Sequence, residues 1–139
     1  MLLRASELSS ILKSGQYAAL RIDSVAALPR LLGVRNGGRT VVEVAAMSEG
    51  TTDQLFLALR LAAVEQSVAA GVHLPFLADD LFFNFDDDRS EASFRVLAEL
   101  ARSTQALFFT HHPHLPSTAR SVVGADNHSE CTLGRDPSR

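Results

Sequence analysis

The spacing of hydrophobic residues changes along the chain and separates two regions. In the first region, residues 5–13 carry leucine or isoleucine at helical spacing, which predicts a helix that stops near Gly15. Residues 17–23 and 39–46 alternate apolar and polar positions, which predicts strands. The segment 24–38 between them is rich in glycine and includes an Asn-Gly pair typical of tight turns. The first region is therefore predicted to be a β-hairpin or meander with an irregular middle.

The second region alternates helical and strand patterns. The predicted order is helix 51–71, strand 74–79, helix 88–103, strand 105–110 and a short helix within 111–124. Both strands are continuous apolar runs, as expected of strands buried on both faces. This order and these lengths indicate an α/β unit with parallel strands.

The ends and faces of the helices can also be predicted. Thr51 or Thr52 is expected to cap the long helix, and Asp88 is expected to cap the next one. The long helix has a broad apolar face, predicted to consist of Leu55, Leu59, Ala62, Gln66, Phe56 and Ala63.

Composition narrows the class of protein. The 139 residues are 46% hydrophobic and 21% charged, which indicates a globular domain, and the net charge of −3 argues against a generally basic nucleic-acid surface. A single cysteine, Cys131, excludes an internal disulfide and a four-cysteine zinc site. No apolar run approaches the roughly eighteen residues of a membrane span, and the amino terminus lacks the pattern of a secretion signal. A cytoplasmic setting without membrane contact is therefore expected.

Polar residues follow each predicted strand of the α/β unit. Asp79 and Asp80 end the first strand, and His111 and His112 directly follow the second. Ligands of open parallel sheets bind outside the carboxyl ends of the strands. A carboxylate there can hold Mg²⁺ beside nucleotide phosphates, and a second carboxylate or a histidine can act on an attacking water. The alternatives are an ordinary strand end for the acids and a surface pair for the histidines.

A third candidate site precedes the long helix. Ser48 and Gly50 lie just ahead of its predicted start, where exposed amides and a hydroxyl can bind phosphate. An ordinary helix cap explains the same residues. The phosphate-binding loop G-x-x-x-x-G-K-[ST], the Walker A motif, is missing, because the only lysine, Lys13, follows Leu12 instead of glycine.

Taken together, these segments resemble the carboxy-terminal half of an ABC-type ATPase head. The resemblance is to SMC-like and YhaN-like DNA-repair ATPases, whose heads sit on long coiled coils, and it extends over about residues 5 to 116. MSEGTTDQLFLALRLA looks like the signature motif and LPFLADD looks like Walker B. NFDDDR looks like the D-loop, and LFFTHH looks like the strand leading to the switch histidine.

The resemblance implies a role for each candidate residue. Asp79 would be the Walker B acid serving Mg²⁺, and Asp80 would take the catalytic carboxylate position, where most such ATPases have glutamate. His111, or His112 after a one-residue shift, would be the switch histidine. Ser48 and Gly50 would contact the γ-phosphate of an ATP held mainly by another subunit. Asp86 would face that partner. No catalytic role is implied for Asp87 or Asp88.

The resemblance also implies a missing part, because such ATPases carry Walker A on an amino-terminal lobe. Residues 1–14 would end a returning coiled coil or helical segment, 15–123 would form the carboxy-terminal lobe, and 124–139 would be a polar tail that forms an edge strand or is disordered. The expected fold is the α/β carboxy-terminal lobe of a P-loop head, with short parallel strands and an amino-terminal β-hairpin. The expected partners are a Walker A lobe, a second head and, through the full assembly, DNA.

Two other functions are compatible with the same residues. A stand-alone metal-dependent phosphoesterase or nuclease could bind ions through Asp79, Asp80, Asp86 and His111. A module that only binds a partner subunit would keep the fold without ATP chemistry. ATP and Mg²⁺ are the cofactors expected for the ATPase half-site.

Overall fold

The computed structural model describes residues 1–12, 17, 19–24 and 30–134. The predicted helix stop at Gly15 and the end of the predicted tail, 135–139, lie outside these ranges. Over the described ranges, a three-stranded sheet and a two-stranded sheet surround one apolar core together with four α-helices. None of the described helices is long and apolar enough to cross a lipid bilayer.

The first sheet is an antiparallel meander of three strands. β1 (Ala19–Asp23) pairs with β2 (Arg30–Arg35), and β2 pairs with β3 (Thr40–Glu43). The predicted irregular middle is therefore wrong over 30–35, which forms the central strand. The predicted turn is confirmed: Gly37 and Gly38, between β2 and β3, have φ values of 64° and 96°, which glycine adopts readily.

A glycine in β2 explains why this strand was missed. A Cβ on Gly33 would lie 2.6 Å from Met47 Cε and 2.6 Å from Tyr17 Cδ1. The glycine therefore allows close packing across the strand instead of interrupting it. In the sequence Gly33 suggests a loop, but in the structure it lies in a strand where its neighbours leave no room for a side chain.

Helices α1 (Leu2–Leu12) and α2 (Glu49–Ala69) pack against each other. The Arg4 guanidinium binds the Glu65 carboxylate, with 2.7 Å between Nε and Oε2. Gln54 is fully buried, and its Nε2 donates a 2.7 Å hydrogen bond to the carbonyl of Leu12. This bond satisfies one of the carbonyls that the end of α1 leaves without a helical partner. The assignment of this helix to the end of a coiled coil remains a prediction.

The buried face of α2 differs from the predicted one. Leu55 and Ala62 are buried as expected, but Phe56 is 43% exposed and Ala63 is exposed. The core instead receives Leu57, Ala58 and Leu61. The helix is apolar around much of its circumference, so the position of α1 selects the buried stripe and periodicity alone cannot.

The second sheet pairs two strands in parallel, as predicted. β4 (Phe76–Asp79) lies beside β5 (Ala106–Phe109), with Phe76 opposite Ala106 and Asp79 opposite Phe109. Helix α3 (Asp87–Leu100) connects the two strands, and α4 (Leu115–Val123) follows β5. The inner face of this unit is closed by three aromatic rings with centroids 4.7 to 5.1 Å apart, those of Phe82, Phe94 and Phe108.

Only one face of the parallel pair is covered. Phe76 and Ala78 are buried, whereas Leu77 is 62% exposed and Phe109 on the neighbouring strand is 42% exposed. The prediction that these strands are buried on both faces is therefore wrong for this chain. Leu77, Asp79 and Phe109 lie on an exposed surface, which we call the open face.

The tail after α4 is held by polar contacts, and residues 124–134 form no strand, so the edge-strand alternative does not apply to them. Arg120 Nη2 donates to both carboxylate oxygens of Glu130, at 2.8 and 2.7 Å. The His128 imidazole contacts the Gly124 carbonyl through Nδ1 at 2.8 Å and Glu130 through Nε2 at 3.1 Å. The Gly124 carbonyl, and then Glu130, raise the pKa of His128 above its usual 6.5. Contact with His128, and then Arg120, lowers the pKa of Glu130 below 4.5.

The open face predicts self-association of the isolated chain. Replacing Leu77 with glutamine should reduce the sedimentation coefficient at high protein concentration, because it removes apolar surface without disturbing the core. Val41→Gln is the matched control, since Val41 is also about half exposed but lies in the other sheet. A parent chain that stays monomeric over the whole concentration series would contradict this prediction.

The tail contacts predict a pH window for tail attachment. The contact between His128 and Glu130 should contribute fully to tail attachment between pH 4.5 and 6.5, because His128 is then protonated and Glu130 ionised. It should decline as pH rises through the raised pKa of His128 and as pH falls through the lowered pKa of Glu130. Protection factors of the amides of residues 124–130, obtained by NMR from exchange rates compared with the intrinsic rate at each pH, measure this, and His128→Gln should remove the loss on the alkaline side. Protection factors in the parent chain that stay constant as pH rises through the raised pKa of His128 would contradict this prediction.

Candidate functional site

The carboxyl ends of β4 and β5 bring the predicted acid and histidines together. The strand ladder continues one residue past β4, where the Asp80 amide donates to the Phe109 carbonyl at 2.9 Å. Asp80 has φ 50°, the only positive value outside glycine in the described chain. Aspartate tolerates this left-handed conformation better than most residues. The turn changes the direction of the chain, so that Asp80 leaves the line of β4 and reaches the end of β5.

The Asp80 carboxylate contacts both histidines. Its Oδ2 lies 2.9 Å from His111 Nδ1, and its Oδ1 lies 3.6 Å from His112 Nε2. The two imidazole rings lie side by side, with centroids 4.3 Å apart. The structure therefore places the two histidines at one carboxylate, and both proposed registers of the switch histidine remain compatible with it.

Thr110 fixes the arrangement, and the sequence analysis did not assign it a role. Its hydroxyl lies 3.2 Å from Asp80 Oδ1 as a donor, and its oxygen accepts from the His112 amide at 3.1 Å. A threonine between an apolar strand and two histidines is a weak sequence signal, because threonine is also common in ordinary strands. Its hydroxyl orients the carboxylate and the backbone of the histidine loop at the same time.

The side chains of Asp80, His111 and His112 differ in their exposure to solvent. The His111 side chain is 70% exposed, and that of Asp80 is 30% exposed. His112 is more enclosed, and its Nε2 is inaccessible to solvent and lacks a hydrogen-bond partner in the described chain. The cluster therefore combines an accessible imidazole with an enclosed one. Asp80, His111 and His112 also form the one group of potential metal ligands identified in the described ranges.

Asp79 lies on the open face, away from these contacts. Its side chain is exposed and makes no hydrogen bond or ion pair with any residue of the described ranges. Asp79 and Asp80 are therefore adjacent in sequence but differ in surroundings. A free carboxylate at this position can take a cation, or a group from another protein, as a ligand.

The start of α2 forms a second group of candidate residues. Ser48 is the N-cap, so the predicted caps Thr51 and Thr52 are wrong, and α2 starts two residues earlier than expected. Ser48 Oγ lies 2.8 Å from Thr51 Oγ1, and the Ser48 carbonyl accepts from the Thr51 and Thr52 amides. The amides of Glu49 and Gly50 donate no hydrogen bond within the described chain. Such amides at a helix start are available to an anion.

The loop between β4 and α3 packs directly on this helix start. A Cβ on Gly50 would lie 2.5 Å from Arg89 Nη1 and 2.7 Å from the Asn84 carbonyl oxygen. Asn84 Nδ2 also donates to Asp53 Oδ2 at 2.8 Å. Gly50 is therefore required for packing inside this chain, whatever else its amide contacts.

Asp86 has a structural role that the sequence analysis gave to Asp88. Its Oδ1 accepts from the Arg89 amide at 2.9 Å, which caps α3, and its Oδ2 lies 3.2 Å from Arg89 Nε. Asp87 and Asp88 lie in the first turn of the helix and do not cap it. The predicted cap was wrong by two residues because three consecutive aspartates give the same local signal. The Asp86 side chain is still more than half exposed, so it can also meet a partner.

An open groove of about 470 Å³ lies at the start of α2. It is lined by Val44, Ala45, Met47, Glu49, Thr52, Asp53, Phe83 and Asn84. The Phe83 ring also lies 5.9 Å from the His112 ring, between centroids. Phe83 thus connects the two groups of candidate residues, although no hydrogen bond or ion pair joins them within the described ranges.

Comparison with known proteins places this geometry in a wider context. No protein-family model matches the chain. The chain is 36% identical over 85 residues to the uncharacterised protein YhaN of Bacillus subtilis, a match that spans 59% of this chain but 8% of YhaN. Its fold is similar to structures of SMC heads at 18% sequence identity. One, from work on ATP-driven dimerisation and DNA-stimulated activation of SMC ATPases, has a TM-score of 0.66 and covers 84% of this chain and 70% of that one.

Two other SMC head structures match this chain with similar TM-scores and cover a similar share of it. The match to the head domain of Thermotoga maritima SMC has a TM-score of 0.57 and covers 86% of this chain and 38% of the SMC chain. The Pyrococcus furiosus Smc head with an extended coiled coil, bound to the carboxy-terminal domain of ScpA, has a TM-score of 0.62 and covers 84% and 29%. The chain therefore has the α/β fold of part of an SMC-type ATPase head, as its sequence predicted.

The packing of Gly50 generates a prediction about stability. Gly50→Ala should lower the free energy of unfolding by about 1–3 kcal/mol, measured by urea denaturation, because the new methyl group overpacks the site. Gly134→Ala is the control, since nothing lies within 4 Å of a Cβ there. In an Arg89→Ala background, Gly50→Ala should cost less than in the parent chain but still destabilise it, because the Asn84 carbonyl remains. Equal stability of Gly50→Ala and the parent chain would contradict the packing role.

Proposed function

We propose that this chain is the carboxy-terminal lobe of an SMC- or YhaN-like ATPase head. It would complete an ATPase site only with a Walker A lobe supplied from elsewhere. The observation that carries this proposal is the meeting of Asp80 with Thr110, His111 and His112 at the carboxyl ends of two parallel strands. The SMC-type fold supports it independently.

Asp80 and His111 are the groups best placed to act on an attacking water. The Asp80 carboxylate is held by the Thr110 hydroxyl, and His111 extends from it toward solvent. A carboxylate oriented in this way can accept a proton from water, and an exposed imidazole beside it can contact a terminal phosphate. His112 is more enclosed and would support the arrangement, although a one-residue shift of the switch position is compatible with the same contacts.

The residues also fit the cofactors ATP and Mg²⁺. Asp79 offers a carboxylate without an internal partner on the open face, which suits a hydrated Mg²⁺ ion. The Ser48 hydroxyl and the amides of Glu49 and Gly50 suit a phosphate group of ATP. Bound Mg²⁺ would neutralise charge that develops on the phosphates during transfer. Most other phosphate contacts must come from another lobe, since the chain contains a single lysine, Lys13, and no Walker A motif.

Two surfaces are suited to two partners. The open face has exposed apolar residues around Asp79, which packing against a Walker A lobe would cover. The start of α2 and Asp86 would instead face the second head of a dimer. One of the similar SMC structures concerns ATP-driven dimerisation, and we extend this arrangement to the present chain. A role in DNA repair or chromosome maintenance would belong to the full assembly.

The structure gives less support to the stand-alone nuclease with four ligands. Asp86 is engaged by Arg89, and neither Asp79 nor Asp86 belongs to the ligand group that Asp80 forms with the histidines in the described ranges. A non-catalytic partner-binding module would use the same two surfaces. Complementation of ATPase activity separates that module from the ATPase half-site.

Complementation should restore ATP hydrolysis. The chain is mixed with a separately produced Walker A-bearing lobe, recognised by G-x-x-x-x-G-K-[ST] followed by heptads, and phosphate release is measured with Mg·ATP. Activity should appear only in the mixture. Asp80→Asn should lower kcat about 10²- to 10⁴-fold, because it removes the proposed proton acceptor and keeps the shape of the side chain.

The matched control is Asp88→Asn, which also removes one negative charge but lies in the first turn of α3. It should leave kcat within about twofold of the parent mixture, since surface helix charges contribute little. Full activity of the Asp80→Asn mixture would refute the catalytic assignment. A mixture that binds firmly but never hydrolyses ATP would favour the non-catalytic module.

A further inference from the structure

We propose that Asp80, His111 and His112 form a binding site for a divalent transition-metal ion of the Zn²⁺ class. This site would be distinct from the proposed Mg²⁺ position at Asp79, and it uses a different set of donor atoms. One carboxylate oxygen and two imidazole nitrogens converge here, all within 4.8 Å of one another.

One of the two carboxylate–imidazole distances suits a shared metal ion, whereas the other, 2.9 Å between Asp80 Oδ2 and His111 Nδ1, is that of a hydrogen bond which an ion would replace. Asp80 Oδ1 and His112 Nε2 are 3.6 Å apart, which is too long for a good hydrogen bond. Two ligands of a tetrahedral Zn²⁺ ion are separated by about 3.4 Å, given metal–ligand bonds of about 2.0–2.1 Å. The observed separation is therefore close to that of two ligands sharing one ion.

An enclosed polar atom lacks a partner at this position. His112 Nε2 is inaccessible to solvent and makes no hydrogen bond in the described chain. Leaving such an atom unsatisfied is unfavourable, and a bound cation would satisfy it when Nε2 is the deprotonated nitrogen. This observation adds burial to the distance: the nitrogen is enclosed, and the Asp80 carboxylate oxygen beside it is 3.6 Å away, beyond the range of a good hydrogen bond.

The ligands are also held in place before any ion binds. The Thr110 hydroxyl donates to Asp80 and accepts from the amide of His112. The left-handed backbone at Asp80 further limits the direction of its side chain. Hydrogen bonds that orient metal ligands in this way typically contribute 10- to 100-fold to metal affinity.

The donor atoms select the class of metal. Imidazole nitrogen suits Zn²⁺, Cu²⁺, Ni²⁺ and Fe²⁺, whereas Mg²⁺ and Ca²⁺ prefer oxygen ligands. Three protein ligands leave at least one coordination position for water or a phosphate oxygen, and the exposure of His111 opens the cluster to solvent. The site is therefore expected to bind Zn²⁺ or Co²⁺ in preference to Mg²⁺.

The test is direct metal binding by the untagged, metal-free chain without nucleotide. Calorimetry should show one Zn²⁺ per chain, and Co²⁺ should give the visible absorption of a nitrogen-ligated ion. Millimolar Mg²⁺ should not displace either. Thr110→Val should weaken Zn²⁺ binding about 10- to 100-fold. His112→Asn and Asp80→Asn should weaken it at least as much, with circular dichroism confirming that each variant is folded.

His73→Gln is the matched control, because His73 lies outside the cluster and contacts the Ser103 carbonyl. It should leave Zn²⁺ affinity within about twofold of the parent. The proposal is overturned if the parent chain binds Zn²⁺ no more tightly than the folded Asp80→Asn/His112→Asn double variant. It is also overturned if His73→Gln weakens binding as much as His112→Asn does.

One consequence rests on the proposed ATPase function. An ion held by Asp80 and His111 would occupy the groups proposed to act on water, so Zn²⁺ should inhibit the complemented ATPase at concentrations that saturate the site. Asp88→Asn should be inhibited equally. Binding without nucleotide and ATPase complementation are separate measurements, so failure of one proposal can be distinguished from failure of the other.

Discussion

The parallel pairing of β4 with β5 is the constraint on which the candidate site depends. Asp79 lies opposite Phe109, and one further hydrogen bond joins the Asp80 amide to the Phe109 carbonyl. Both strands therefore end at the same level, and their next residues meet. A shift of one residue in this register would reverse the facing of one strand's side chains and separate the carboxylate from the histidines.

The same register gives two neighbouring aspartates different surroundings. Alternation along β4 places Phe76 and Ala78 in the core and Asp79 on the open face. The left-handed turn at Asp80 then brings this residue to Thr110 and the histidines. Asp86, further along, is used to cap α3. The five aspartates between residues 79 and 88 are thus distributed over several environments and do not form one acidic cluster.

Periodicity in the sequence was sufficient to predict the α/β unit. The strands 76–79 and 106–109 and the helix between them follow from apolar runs and amphipathic spacing, and the parallel topology follows from their order. The approach of Asp80 to His111 was predicted by the same logic, because parallel strands end at a common edge. Features decided by tertiary contacts could not be predicted, such as the strand around Gly33 and the buried stripe of α2. Local signals are also ambiguous where residues of one type are repeated, so the sequence does not distinguish Asp88 from Asp86, which is the cap of α3 in the structure.

We propose that the chain carries half of a nucleotide site. Calorimetric titration of Mg·ATP into the isolated chain, and then into the chain with a Walker A-bearing lobe, tests this most directly. We expect no saturable binding by the chain alone at micromolar protein, and one ATP bound per site when the second lobe is present. Tight binding and turnover of Mg·ATP by the isolated chain would contradict it.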